Sequence, residues 1–346
     1  MSHSIEENPS VKTDQSAPAG TTADPTPPSR GRQALGLLRQ LPGPLVGLVV
    51  IVVVMTILSP FFFTTNNLLN IVSQVSDIGI MAVGAALVII IGGIDLSVGS
   101  TLALSLMSSA WLFQMQGLPF PVAIVIGLAV GALIGLVNGL LTTFGRVQAF
   151  VATLATMSAG AGLALYITDG NPINGFPTWF VDLTTARVLG IPLQGILLVL
   201  VYLAAAYWLR YRPTGRALYA IGGNEEVARL SGLPVRAIKI RVYVIAGTLA
   251  ALAGLVVASR LDSAQPTAGT ADLLNVIAVV VIGGASLAGG SGSMFGTFVG
   301  LLIIGCLNNG MSLLNVSPNL QPVVIGVVII AAVMTDRGAL RDKVRA

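Results

Sequence analysis

Asp77 and Asp95 are the only acidic residues between positions 41 and 168, in a part of the chain that is otherwise strongly apolar. An ionisable group at membrane depth is costly to bury, so it usually faces protein or water. Asp95 could cap the following helix together with Ser97, or it could act in gating a transport path. The sequence alone leaves both interpretations open.

A second group of polar residues precedes Asp95. Asn70, Gln74 and Asp77 are spaced four and then three residues apart, which would place them on one face of a helix. A polar face within an apolar span lines a water-filled path or forms hydrogen bonds between packed helices. We interpret these residues as candidates for a translocation path, with interhelical packing as the alternative.

Other kinds of chemistry are excluded by residue type. The chain has one cysteine, Cys306, and one histidine, His3, so it predicts no intrachain disulfide, no thiolate metal cluster and no Ser-His or Cys-His catalytic pair. A phosphate-binding P-loop needs a lysine after glycine, and Lys12, Lys239 and Lys343 follow other residues. We therefore expect no catalytic residue, no metal site and no cofactor here. If ATP drives the protein, a separate subunit binds it.

The elements that must position these residues are membrane spans. Of the 346 residues, 54% are hydrophobic and 9% are charged, and the mean hydropathy is +0.88, whereas a soluble domain is about a quarter charged. The sequence predicts an all-α polytopic membrane protein. A span needs roughly 20 apolar residues, which gives about ten candidates: 44–63, 69–91, 98–117, 119–143, 148–168, 192–211, 238–259, 272–289, 293–312 and 319–336.

The ends of the chain differ from the apolar part. Residues 1–40 are rich in Ser, Thr, Pro and charge, and this composition predicts a disordered tail. Residues 41–340 would form the transmembrane domain and residues 341–346 a second tail. With both termini in the cytoplasm, all of the 18 basic residues except Arg187 and Arg260 lie inside, as the positive-inside rule requires. We expect a multi-pass membrane protein with both termini in the cytoplasm.

The densest run of charge after the first span is Arg210–Arg241, and its second half has the start and stop signals of a short helix. Asn224 is a favourable N-cap. Gly232 can adopt the left-handed conformation after the last turn, and Pro234 prevents continuation. A helix this short is unstable alone in water, so it must pack on something.

The faces of this short helix are also predictable. Glu225 and Glu226 would lie in the first turn, where the helix dipole favours negative charge. Glu225 precedes Arg229 by four residues, the better order for an ion pair. Val227 and Leu230 would share a small apolar face.

Two segments now permit a family assignment by resemblance. Thr214–Pro234 closely resembles the cytoplasmic coupling segment of bacterial ABC permeases of the ribose/xylose/arabinose type. Within it, Glu226–Gly232 is similar to the EAA-x-x-x-G signature of importer permeases, with Val227 in place of the first alanine. Gly92–Ser100, which reads Gly-Gly-Ile-Asp-Leu-Ser-Val-Gly-Ser, is a hallmark of the same family. The resemblance covers about residues 40–340.

This resemblance implies the membrane subunit of an ATP-binding-cassette importer for a ribose-like monosaccharide, which is not itself an enzyme. It implies a second permease copy or paralogue, an ABC ATPase subunit and an external sugar-binding protein, and a location in the inner (plasma) membrane of a bacterium. The coupling segment would comprise 212–236, and Gly222 and Gly223 would allow its short helix to take its angle. The residues assigned to ATPase coupling are Thr214, Gly215, Arg216, Gly222, Gly223, Asn224, Glu225, Glu226, Ala228, Arg229 and Gly232.

An internal similarity points to the translocation path. The pattern Ile-Gly-Gly-x-x-Leu-x-x-Gly-Ser occurs at Ile91–Ser100 and recurs 191 residues later at Ile282–Ser291. Glycine-interrupted segments in two halves are typical of duplicated transporters and of their paths. The predicted spans place both copies on one side of the membrane, and an inverted duplication would require a re-entrant segment. The candidate path residues are Asn70, Gln74, Asp77, Gly92, Gly93, Asp95, Ser97, Gly283 and Gly284.

Three alternatives remain at this point. A permease of the same superfamily could carry nucleosides or a furanose-like signal molecule. An ion-coupled secondary carrier would use Asp77 and Asp95 as its coupling carboxylates. A membrane scaffold without transport activity would bind no ATPase.

Overall fold

The fold is almost entirely helical. The computed structural model describes residues 43–330, and the predicted tails 1–40 and 341–346 lie outside that range. The helices are α1 (Gly43–Leu58), α2 (Thr65–Gln74), α3 (Ser76–Ile90), α4 (Val98–Gln114), α5 (Phe120–Thr143), α6 (Ala149–Tyr166), α7 (Thr178–Thr185), α8 (Leu193–Tyr211), α9 (Pro213–Gly223), α10 (Glu225–Leu230), α11 (Val235–Leu261), α12 (Asp272–Ile282), α13 (Met294–Leu313) and α14 (Gln321–Ile330). The predicted all-α class is confirmed.

Four two-residue strands between residues 43 and 330 form two small antiparallel pairs. β1 (Ile173–Asn174) pairs with β4 (Ser263–Ala264), and β2 (Arg187–Val188) pairs with β3 (Ile191–Pro192). Together with α7, strands β1–β3 give structure to the segment between α6 and α8. Phe120 of α5 packs against Phe176 and Phe180 of this loop, which anchors it to the helix ends.

Five helices within residues 43–330 are long and apolar enough to cross a membrane, namely α5, α6, α8, α11 and α13. A sixth span is possible if α2 and α3, which meet at a 48° bend, are counted together. The predicted count of about ten is therefore not confirmed. The predicted span 69–91 is broken at Val75, and 272–289 forms only the 11-residue helix α12, while 319–336 runs past the described residues.

Helix α3 lies at the centre of the core. Every one of its 15 residues is buried, as expected for a helix that is apolar or small on all sides. It packs against α8, α11, α12 and α13. Gly84 permits this, since a Cβ there would lie 2.9 Å from the Cα of Ala246 on α11.

The glycines of α5 serve packing, as their spacing indicates. A Cβ on Gly131 would lie 2.5 Å from the carbonyl oxygen of Gly247 on α11, and one on Gly139 would lie 2.9 Å from the Cα of Ile240. Small residues at such positions let two helix backbones approach closely. The α5–α11 pair is the most extensive helix contact of the described part of the chain.

Candidate functional site

The short charged helix α10 has the predicted start and stop. The Asn224 side chain accepts a hydrogen bond from the Val227 N–H at 3.0 Å. At the other end Gly232 has φ +81°, and the N–H of Leu233 donates to the carbonyl of Ala228 at 3.2 Å. This is the Schellman arrangement that ends a helix with a left-handed glycine. Local sequence signals therefore predicted the residues at which this helix begins and ends.

The ion pairs of α10 differ from the prediction. Arg229 pairs with Glu226, with Nε 3.1 Å from Oε2, and Glu225 pairs with Lys239 on α11 at 2.9 Å. The predicted Glu225–Arg229 pair is wrong because Lys239 comes from the next helix, which helical spacing within α10 cannot indicate. The hydrogen bond from Arg229 lowers the pKa of Glu226 below its usual value. Since both side chains are exposed, the pair contributes little to stability.

The apolar face of α10 points away from the chain. Val227 is 56% exposed and Leu230 is 75% exposed, whereas Ala228 is buried. Glu225 and Glu226 are exposed as well. The helix is thus fastened through Ala228 and presents its larger apolar side chains and its acidic turn to the surroundings.

Helix α9 was not predicted, although its signals are in the sequence. Pro213 occupies its first turn, where a missing N–H has no cost. Its buried residues Ala217, Leu218 and Ile221 recur at helical spacing. The charged residues that flank this short amphipathic pattern obscure it in the sequence.

Helix α9 is locked to the end of α8. The Trp208 indole N–H donates to the Thr214 hydroxyl at 2.9 Å. A Cβ on Gly215 would lie 2.7 Å from the Cα of Leu209, so only glycine allows this approach. Arg216 points outward from the same turn and is exposed. Thr214 and Gly215 therefore position α9, while Arg216 is accessible from outside the chain.

A three-way backbone contact joins α9 to both predicted glycine motifs. A Cβ on Gly222 would collide with the carbonyl oxygen of Ile90 and would lie 2.5 Å from the amide nitrogen of Gly290. The Gly290 N–H donates to the same Ile90 carbonyl at 2.9 Å. A Cβ on Gly289 would lie 2.8 Å from the Cα of Gly92. We call this contact of Ile90, Gly92, Gly222, Gly289 and Gly290 the glycine junction.

The junction corrects the expected role of the two glycines before α10. Gly222 is part of α9 and is needed for close approach, not for a change of angle. Gly223 has nothing within 4 Å of a hypothetical Cβ. The sequence also gave no indication of the role of Tyr219. Its hydroxyl donates to the carbonyl of Gly292 at 3.1 Å and thereby holds the loop between α12 and α13 to α9. No pattern within one segment could indicate either contact.

The two copies of the repeated motif end their helices in the same way. Gly93 N–H donates to Val88 and Gly92 has φ +79°, while Ala285 N–H donates to Val280 and Gly284 has φ +85°. Both are Schellman ends. The equivalent of Gly92 is therefore Gly284, one residue later than the sequence register.

The remainder of the repeat does not correspond. Gly99 lies inside α4 against Gly269, whereas Gly290 lies in a loop with φ +73°. Gly283 serves a separate contact, since a Cβ there would lie 2.6 Å from the backbone of Gly296 on α13. The similarity is thus confined to the two helix ends.

Asp95 belongs to a buried polar chain. Its Oδ1 accepts from the Ser97 N–H at 2.8 Å and from the Ser97 hydroxyl at 2.6 Å. The Asn138 amide donates to the Ser97 hydroxyl at 2.8 Å, and Thr156 donates to the Asn138 oxygen at 2.7 Å. Asp95 therefore orders the turn that precedes α4, whereas the side chain of Ser97, the N-cap residue, makes no capping hydrogen bond to the helix. The polar chain also links that turn to α5 and α6.

The predicted polar face of the second span is not one face. The helix breaks at Val75, so Asn70 and Gln74 lie on α2 and are exposed, whereas Asp77 begins α3 and is buried. Asp77 forms an ion pair with Arg260 of α11, with 2.8 Å between Oδ2 and Nη2. Arg260 also donates to carbonyls at the end of α2. The shared-face prediction is wrong because this bend rotates Asp77 into a structural contact.

Comparison with known proteins gives a consistent result. Residues 67–333 match the family model described as "Branched-chain amino acid transport system / permease component". The chain is 48% identical over 296 residues to the ribose import permease protein RbsC of Escherichia coli (strain K12), covering 84% of this chain and 92% of that protein. It is 47% identical over 304 residues to RbsC of Bacillus subtilis (strain 168), covering 87% and 94%.

A further relative is named for a different sugar. The chain is 40% identical over 291 residues to the D-allose transport system permease protein AlsC of Escherichia coli (strain K12), covering 84% of this chain and 89% of that protein. No solved structure matches the chain significantly.

Proposed function

Because the chain belongs to the family of transport-system permease components, we propose that it is the membrane-spanning subunit of an ATP-driven importer for ribose. The two ribose import permeases match over more than nine-tenths of their length at 48% and 47% identity, and the allose permease at 40%. Like these relatives, the chain is a transport permease subunit and not an enzyme. A different small sugar, such as allose, is the second candidate, favoured by that 40% identity.

The proposal includes an orientation and a set of partners. The coupling segment faces the cytoplasm, where an ABC ATPase subunit binds α10 and supplies ATP hydrolysis. A sugar-binding protein delivers ribose on the opposite face, and a second permease copy or paralogue completes the path. The exposed Val227 and Leu230 support the ATPase contact, because an apolar pair on a short helix is suited to a groove in a partner.

The proposed mechanism rests on the direct contact between α9 and the two glycine-interrupted loops, 91–97 and 283–293. Backbone touches backbone at Gly222, Ile90 and Gly290, with no side chain between them to absorb a displacement. A movement of α10 and α9 imposed by the ATPase would therefore shift the loops 91–97 and 283–293 together. Packed elements of this kind change between discrete arrangements and can rock between outward- and inward-facing states.

The ion-coupled alternative is less well supported by the geometry. Asp77 is neutralised by Arg260 at 2.8 Å, and the Asp95 carboxylate accepts two hydrogen bonds from Ser97. Both carboxylates thus have structural partners. A coupling carboxylate must instead exchange its proton or ion during each transport cycle.

Reconstitution tests the proposed function. Liposomes that contain the permease and its ATPase, with ribose-loaded binding protein added outside, should accumulate ribose only when ATP is enclosed. Allose and a nucleoside, each with its own binding protein, serve as competing substrates. Accumulation that follows an imposed proton gradient without ATP would contradict the proposal and favour the ion-coupled carrier.

A further inference from the structure

A polar groove lies at the end of the molecule that carries α2 and the β2–β3 hairpin. Its volume is about 420 Å³, which falls within the range of about 300–1,000 Å³ typical of small-molecule sites. Its polar lining consists of Thr64, Asn66, Asn67, Asn70, Ser73 and Arg187. No carboxylate lines it, so the groove has the wrong chemistry for a cation.

The lining contains amide groups that are available to a ligand. Thr64 and Ser73 donate to carbonyls of their own segment, and Asn67 donates to the Phe62 carbonyl. By contrast, the side-chain amides of Asn66 and Asn70 have no hydrogen-bond partner among the described residues. Each free amide offers two donors and an acceptor. A sugar hydroxyl also donates and accepts, so neighbouring hydroxyls of a pentose match such a surface.

The floor of the groove is rigid. Asn67 and Asn309 of α13 exchange two side-chain hydrogen bonds, at 2.8 and 2.9 Å, and both residues are buried. A fully satisfied buried amide pair holds α2 in one position relative to α13. The first turn of α13, at Gly296, lies against Gly283. One helix therefore connects the floor of the groove with the loop that enters the glycine junction.

The groove lies at the opposite membrane face from the coupling segment. Pro192, which lines it, directly precedes α8, and α9 follows the other end of that helix. Nineteen helical residues span about 28 Å, close to the thickness of the hydrocarbon core. Phe61 and Phe63 beside the groove are exposed, and aromatic side chains are enriched at membrane–water boundaries.

We infer that this groove is an outer subsite of the permease, at which a pentose released by the binding protein is held by Asn66 and Asn70 before it enters the path. The inference rests on the proposed function. It assigns sugar recognition to the permease itself, in addition to the selection made by the binding protein.

Cysteine protection tests the site. Cys306, the only cysteine, is buried, so Ser73→Cys, at a lining position that is not assigned to the sugar, introduces one thiol into the groove of the assembled complex. A membrane-impermeant maleimide added outside should label it, and ribose should slow labelling about threefold at roughly twice the dissociation constant. Glycine betaine at the same concentration, which has no hydroxyl group, should have no effect. Asn171→Cys, an exposed asparagine that does not line the groove, should be labelled at the same rate with or without ribose.

Transport provides the second measurement. Asn66→Leu/Asn70→Leu should lower ATP-driven ribose uptake about tenfold through the loss of sugar hydrogen bonds, while the complex still copurifies with its ATPase. Asn171→Leu should transport normally. Ribose-independent labelling, failure of labelling because a partner chain covers the groove, or normal uptake by the double variant would overturn the inference. If the unmodified complex does not transport ribose with ATP, the proposed function itself fails, which is a separate outcome.

Discussion

Replacing Gly222 by alanine tests whether the glycine junction transmits movement. The new Cβ would overlap the Ile90 carbonyl oxygen and would lie 2.5 Å from the Gly290 nitrogen, so the 2.9 Å hydrogen bond between those two groups could not persist. Overpacking costs about 1–3 kcal/mol, and a buried backbone group left unpaired costs about another 1–3 kcal/mol. The arrangement described here would thus be destabilised by at least about 2 kcal/mol, or roughly 30-fold in population.

The neighbouring glycine provides a matched control. Gly223 has open space around a hypothetical Cβ, so Gly223→Ala should change activity by no more than about twofold, as for most substitutions without a steric conflict. Gly131→Ala provides the second control, because its Cβ would lie 2.5 Å from the Gly247 carbonyl oxygen in the α5–α11 interface. It should lower thermal stability without changing the ribose moved per ATP hydrolysed.

The assay is ATP-driven ribose uptake together with ATP hydrolysis in the same proteoliposomes. Gly222→Ala should lower the ribose-to-ATP ratio at least about tenfold, since 1.4 kcal/mol already gives that factor. Equal ratios for Gly222→Ala and Gly223→Ala would refute the reasoning. So would a loss by Gly131→Ala as large as that by Gly222→Ala, because any tight glycine would then have the same effect.

The remaining predictions concern single contacts. Asp77→Leu should destabilise the complex by up to about 3 kcal/mol, because Arg260 loses its bonded carboxylate in a partly buried site and keeps only the charge of nearby Asp272. Asp77→Leu/Arg260→Met should recover most of the loss in thermal unfolding; no recovery would exclude the ion pair as the cause. Asn138→Leu should lower stability by about 1–3 kcal/mol by removing partners of buried hydroxyls, and an unchanged melting temperature would contradict the polar chain. The pKa of Glu226 is lowered from 4.5 by the hydrogen bond from Arg229, so the charged pair is complete above the unfolded pKa and is lost only as pH falls through the lower folded value. ATP-driven uptake should therefore show no transition from loss of this pair at any pH above 4.5, and a transition above that value that disappears in Glu226→Gln would contradict this assignment.

Signals that act within a few residues were readable from the sequence. Asn224 and Gly232 define the ends of α10 because a cap and a left-handed glycine depend only on the local backbone. The four-residue spacing of the α5 glycines, which places them on one face of the helix, is likewise a local signal. The family resemblance rested on such contiguous residues and is confirmed by the comparisons.

Features set by distant contacts could not be predicted. The break at Val75 contains no glycine or proline, and the carbonyls that end α2 are satisfied by Arg260, far along the chain. Glu225 forms its ion pair with Lys239, which lies on another helix. The glycine junction joins Gly222 to one segment more than a hundred residues before it and to another more than sixty residues after it. The need for glycine at position 222 follows only from the position of the Ile90 carbonyl against it.

The most direct test of the coupling assignment is to identify what contacts α10. Leu230 is 75% exposed, so Leu230→Cys in a Cys306→Ala background offers a single thiol for a cysteine-specific photocrosslinker. The account predicts a crosslink to the nucleotide-hydrolysing subunit, with a yield that changes when ATP is added, and no labelling by an impermeant reagent from the side that receives the sugar-binding protein. Labelling from that side, or a crosslink pattern without the ATPase, would contradict it.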